Sequence, residues 1–168
     1  MKTLLSSILF TWGILFSSYS FGEPDTLLIQ KNMPDWVKPV LEKSEIAKKH
    51  QILTDFNPFY FEADFTGDGQ VDIAFFVENK LDKTRGVMIV NNVKNLAYVI
   101  GCGNATDMGT SLSWTERWFV YRNRYIVNSG NKKKVTLKTP AIQLVRNENN
   151  SLVIYWAGKK YKTFIHQS

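Results

Sequence analysis

The chain has 168 residues, with 21 Lys and Arg against 15 Asp and Glu, for a net charge of +6. That length suffices for one domain with a sizeable core, and the positive balance draws a protein towards anionic surfaces. Cys102 is the one cysteine, which excludes an intrachain disulfide and leaves packing, or packing plus a metal, to hold the fold.

Residues 1–22 have the order of an export signal. Lys2 supplies the positive end, Leu4 to Phe16 is a short apolar run, and Ser17 to Gly22 is a small-residue region with cleavage expected after Ser20 or Gly22. The run is too short for a stable membrane span. No cysteine lies beside the cleavage region, which speaks against a lipoprotein anchor. A periplasmic or secreted location follows as the expectation. Residues 23–33 are expected to be a flexible or loosely docked N-terminus. One helix is predicted next, capped by Asp35, with Trp36, Val37, Val40 and Leu41 as its apolar stripe and Ile46 and Ala47 extending it. Lys48, Lys49 and His50 close it on the side its dipole favours.

The most informative stretch is Asp64-Phe65-Thr66-Gly67-Asp68-Gly69-Gln70-Val71-Asp72. Oxygen-bearing side chains at loop positions 1, 3, 5 and 9 can converge on one point, and glycine at position 6 permits the bend. Asp64, Asp68 and Asp72 would give carboxylate oxygens, Thr66 its hydroxyl and Gln70 its backbone carbonyl. This hard-oxygen set predicts Ca²⁺ rather than zinc or copper. The loop departs from an EF-hand: position 12 is Phe75 instead of Glu, position 3 is Thr66, and the flanking runs 59–63 and 73–77 alternate as strands. The unit is strand–loop–strand, and it resembles the FG-GAP or VCBS-type repeat, whose D-x-N/T-G-D-G-x-x-D loop joins two strands of a propeller blade. The competing reading is an acidic turn that binds nothing.

From residue 58 onward the period is two. Hairpins are predicted for 87–90 with 96–100, joined through 91–95, and for 151–156 with 161–166, turned at 157–160. Further strands fall at 114–127, interrupted near Arg122-Asn123-Arg124, and at 141–145, with 128–134 as an exposed polar loop. The glycine-rich segment 101–109 lacks the spacing of a phosphate cradle. No second acidic loop appears, so the chain alone is not a multi-blade propeller. The predicted fold class is α+β: one curved antiparallel sheet of seven or eight strands in blade-like hairpins, with one N-terminal helix, in a single domain over 34–168. The succession DFTGDGQVDIAFFV, GVMIV, AYVIGCG, WTERWFVY and SLVIYWAGKKYKTF is similar to a group of small exported bacterial proteins that carry one FG-GAP/VCBS-type loop. That resemblance implies export and fold, and no reaction.

Three functions compete on these residues. The first is an exported, non-enzymatic calcium-binding domain. The second is a module that binds an anionic envelope polymer or an envelope protein through Lys132, Lys133, Lys134, Lys159 and Lys160, interleaved with Trp114, Trp118, Tyr155, Trp156 and Tyr161. No nucleic-acid-binding motif accompanies these lysines. The third is an envelope hydrolase, with Cys102 as nucleophile and His50 or His166 as base, or with an acid pair drawn from Glu62, Glu78, Asp82 and Glu116.

Overall fold

The computed structural model describes Ile29 and residues 31–167; the expected export signal over 1–22 and most of the 23–33 connector lie outside the described residues. In chain order the elements are α1 (Val37–Lys43), α2 (Glu45–Lys48), β1 (His50–Ile52), β2 (Tyr60–Ala63), β3 (Asp72–Asn79), β4 (Arg85–Asn91), β5 (Leu96–Gly101), β6 (Arg117–Tyr121), β7 (Tyr125–Asn128), β8 (Lys133–Thr136), β9 (Ala141–Asn147), β10 (Asn150–Trp156) and β11 (Tyr161–His166). The fold is built of antiparallel sheets with two short helices among the described residues.

The strands form three sheets where the sequence predicts one. The first has the order β1-β3-β4-β5, with β2 also paired to β3; the second has the order β11-β10-β9-β6; β7 and β8 form the third. The reason lies in β3 and β4. Each carries six consecutive buried residues, so both of its faces need cover. One face, with Ala74, Phe76, Val87 and Ile89, packs on Ile142, Leu144, Leu152 and Ile154 of the second sheet. The other, with Ile73, Phe75, Val77, Met88 and Val90, packs on Val37, Val40 and Ala47 from the helices. The back of the second sheet is covered in turn: Ala141 and Val153 pack with Ile126 of β7 and Leu137. Helices, first sheet, second sheet and the β7–β8 hairpin thus stack as successive layers.

The predicted hairpins, 87–90 with 96–100 and 151–156 with 161–166, are present as β4–β5 and β10–β11. Two local expectations change. The single helix over residues 35–50 is two helices, because Ser44 is extended (φ −81°, ψ 115°) and its Oγ accepts the Ala47 N–H at 3.2 Å, capping α2. The break leaves Ile46 exposed, and Asp35 caps nothing; it pairs with Lys38 on the surface. The segment 128–134 is no free loop: it is the turn of the β7–β8 hairpin, and Lys133 and Lys134 lie in β8. The end of the 23–33 connector is docked, with Met33 buried against the helix-side core and Ile29 packed beside it.

Phe76 is wholly buried between the two large sheets and packs on Phe56 (ring centroids 4.5 Å apart) and Trp118 (5.9 Å). Phe76→Ala is expected to lower unfolding stability by about 3–5 kcal/mol in urea denaturation. Leu81→Ala, at a side chain 93% exposed, should change it by less than about 0.5 kcal/mol.

Candidate metal centre

Strands β2 and β3 pair up to Ala63 and Asp72, so the segment between them, residues 64–71, is the closed loop of a hairpin. Asp64 organises its backbone. One carboxylate oxygen accepts the N–H groups of Gly67 (2.5 Å) and Asp68 (3.1 Å), and the other accepts that of Gly69 (2.9 Å). Successive N–H groups turned towards one anion form a nest. Gly69 makes the bend at φ +85°, in the left-handed region that suits glycine. Gly67 is left-handed too (φ +75°) and closely approached: a Cβ there would come within 2.7 Å of the Thr139 methyl group.

The remaining oxygens meet on the inner side of the loop. Asp72 is fully buried at the first position of β3. Its Oδ2 accepts from the Thr66 N–H and hydroxyl, both at 3.1 Å, and its Oδ1 from Asn91 Nδ2 at 2.8 Å and the Asn92 N–H at 3.2 Å. Asp68 Oδ2 accepts from Asn91 Nδ2 at 2.8 Å and lies 3.0 Å from the Thr66 hydroxyl, whose one proton the two carboxylates share. Asn91 Nδ2 also lies 3.0 Å from Thr66 Oγ1. One point, the Asn91 nitrogen, therefore sits 2.8–3.0 Å from Asp68 Oδ2, Asp72 Oδ1 and Thr66 Oγ1.

The electrostatics follow from burial and from Asn91. The Asn91 amide holds the Asp68 carboxyl below its ordinary range, while burial pushes Asp72 above it despite four hydrogen bonds. Beside the loop, the Tyr161 hydroxyl is buried and has no hydrogen-bond partner among the described residues. Its pKa is raised by burial first and then by nearby acidic groups, Asp72 foremost.

This donor set suits a hard divalent cation. Ca²⁺ takes oxygen ligands at about 2.3–2.6 Å, so the three converging oxygens need only draw inward by a few tenths of an ångström. Among the described residues no three acidic, imidazole or thiol groups by themselves form a metal cluster; two carboxylates and a hydroxyl converge, and Asp64 is given over to the loop backbone. Gln70 is exposed and donates its N–H to Asp68 Oδ1 at 3.1 Å. Asn91 is the participant that the sequence did not reveal. It stands one position beyond the Ile73–Val90 pair of β3 and β4, which sets it beside Asp72.

The other named residues are dispersed. Lys132 to Lys134 occupy the turn and second strand of the β7–β8 hairpin, where Lys134 Nζ lies 3.6 Å from the Tyr125 ring centroid. Lys159 and Lys160 lie in the β10–β11 turn, ahead of β11, whereas Asn128 and Ser129 meet Gln167 beyond its other end. Six residues of strand, roughly 20 Å, separate the two groups. Cys102 is buried, its Sγ contacts the Val77 carbonyl, and burial raises its pKa to about 12. His50 Nδ1 meets the Ile46 carbonyl and His166 Nδ1 that of Val127. Glu78 pairs with Lys83 and Arg85, while Glu62 and Glu116 are exposed.

Comparison with family models, with curated proteins and with solved structures gave no match.

Asp64→Ala removes the acceptor of three N–H groups, and is expected to cost about 1–2 kcal/mol in urea denaturation even with EDTA present. An unchanged midpoint would mean that water replaces the carboxylate without loss. Native Cys102, with a thiolate fraction on the order of 10⁻⁴ at pH 8, should react with a disulfide reagent at least about a hundred-fold more slowly than the urea-unfolded chain.

Proposed function

We propose that this protein is an exported, non-enzymatic calcium-binding domain, acting in the cell envelope or outside it, whose metal is mainly structural. The observation that carries this reading is the convergence of Asp68, Asp72 and Thr66 oxygens on one point at the mouth of a strand–loop–strand hairpin. The β2–loop–β3 unit is the counterpart of the blade hairpin in the FG-GAP/VCBS resemblance. Two carboxylates held at one point repel each other, and one of them is buried; a divalent cation turns that repulsion into attraction. Thr66 is neutral and position 12 is Phe75, so the expected Kd is on the order of 10⁻⁵–10⁻³ M. At about one hundred times Kd, linkage adds roughly 2.7 kcal/mol of stability.

A second reading, binding of an anionic envelope polymer or of a protein partner, has the exposed hairpin lysines in its favour. The separation of Lys132–Lys134 from Lys159 and Lys160 makes the hairpin a small patch in its own right.

Thermal unfolding in EDTA and in millimolar Ca²⁺ separates these readings. The wild type is expected to melt several degrees higher with Ca²⁺, Mg²⁺ to stabilise it less, and Asp68→Ala to abolish the shift. A wild type indifferent to Ca²⁺ would overturn the first reading. For the second, retention on an anionic polymer should fall as salt rises and should weaken when Lys132, Lys133 and Lys134 are replaced by Ser. Retention unaffected by either change would overturn it.

A further inference from the structure

The β7–β8 hairpin covers the outer face of the second sheet over part of its length. Ala141 and Val153 lie under that cover. Further along β9 on the same face, by the two-residue period of a strand, stand Gln143 and Val145. Register sets Phe119 of β6 opposite Gln143, and it aligns Arg117, Val145, Ser151 and His166 as the next row across four strands. With the β9–β10 turn these side chains line a cleft of about 240 Å³, floored by the buried Val145 and Ser151. Gln143 is only 9% exposed, and its carboxamide has a fixed orientation. The Ser151 hydroxyl has one proton and gives it to the His166 carbonyl at 3.1 Å. Its oxygen can then only accept, so the Gln143 atom 2.8 Å away is Nε2. Oε1 is left on the cleft side with no hydrogen-bond partner among the described residues. On a face otherwise built of Ala141, Val145 and Val153, an apolar residue would serve packing better than a buried amide with an unpaired oxygen.

We propose that this cleft binds the acetamido group of an N-acetylated amino sugar, whose N–H is donated to Gln143 Oε1. The site goes beyond the calcium and anionic-polymer readings and uses neither the acidic loop nor the hairpin lysines. A ligand for Oε1 must be a donor. Arg117 and Glu148 are the permanently charged residues that line the cleft, so its charges balance, and a neutral amide suits it better than an ammonium or a carboxylate. Arg117 also brings an exposed donor for the amide carbonyl. The cleft is smaller than the roughly 300–1,000 Å³ that houses a whole small molecule, so it takes one pendant group while the rest of the ligand lies outside. Outside, the exposed Phe119 ring is an apolar plate for the C–H face of a pyranose. An extended peptide fits less well. Strands β9 and β10 are paired on both sides, so the floor has no free row of backbone N–H and C=O groups with which to hold a peptide main chain.

The test is ¹H–¹⁵N NMR on the chain from Glu23 onward, as cleavage after Gly22 would leave it, titrated separately with N-acetylglucosamine, glucose and N-acetylalanine methylamide. N-acetylglucosamine is expected to shift the Gln143 side-chain amide signals and the Val145 backbone amide, with Kd on the order of 10⁻³ M for so small a contact. Glucose, with a hydroxyl in place of the acetamido group, should bind at least about ten-fold more weakly. Gln143→Met keeps the length of the side chain but has no amide. It should melt within a few degrees of the wild type and bind N-acetylglucosamine at least about ten-fold more weakly. Phe119→Ala, at an exposed side chain, should weaken binding without lowering the melting temperature by more than a few degrees. No shift at several times the expected Kd, or equal binding of glucose, would overturn the proposal. So would unchanged affinity in a folded Gln143→Met variant. N-acetylalanine methylamide bound as tightly as the sugar, or more tightly, would overturn the sugar and give the cleft to a peptide. The comparison of the three ligands is made on the wild type, so it decides the matter even where a variant fails to fold.

Discussion

A carboxylate with no access to water stands at the head of the strand on which the whole molecule is packed. Asp72 opens β3, and β3 lies in the middle of the fold, with the helices on one face and the second sheet on the other. Leaving that charge unpaired in the interior would cost several kcal/mol, so the surroundings of Asp72 are fixed by necessity. Thr66 serves one oxygen, and Asn91 with the Asn92 N–H serves the other. The loop must therefore close over Asp72, and the end of β4 must arrive in register with it. Asp64 completes the arrangement from outside by holding the backbone of residues 67–69. The burial of one acid thus ties together a loop, two strands and the turn after β4.

Much of this was legible in the sequence wherever it is local. The spacing of Asp64, Asp68 and Asp72 and the glycine between them specify a tight loop, and the alternating runs on either side specify its strands. The hairpins β4–β5 and β10–β11 were legible for the same reason. What could not be read depends on partners distant in sequence. The runs DIAFFV and GVMIV are apolar throughout, and such a run says that both faces are covered without saying by what. Hence one sheet was expected, and the described residues form three. Asn91 escaped notice because its role comes from cross-strand register and from no motif. The grouping of Lys132–Lys134 with Lys159 and Lys160 followed proximity in composition, and the length of β11 separates them. The break at Ser44 did carry a local signal, a serine followed by Glu45 and a short helical run. The apolar stripe across it masked that signal.

The placement of these groups bears on the three functions in different ways. The loop presents hard oxygens at one point, the kind of donor a divalent cation takes. The hairpin lysines lie on a surface strand and turn, one of them resting on a tyrosine ring, which suits weak, salt-dependent contacts. The cysteine is enclosed by the helix-side core, in apolar surroundings that suppress the thiolate a nucleophile needs. The loop couples to the packing of the sheets through Asp72 at the head of β3, so a ligand there would be felt as stability in the domain.

Whether Asp68, Asp72 and Thr66 surround a cation position is decided by diffraction from crystals of the protein grown in millimolar CaCl₂, with data collected at a long wavelength where calcium scatters anomalously. An anomalous peak is expected within about 2.3–2.6 Å of Asp68 Oδ2, Asp72 Oδ1 and Thr66 Oγ1. An anomalous map with no peak there, and the Asn91 nitrogen still seated among those three oxygens, would contradict it.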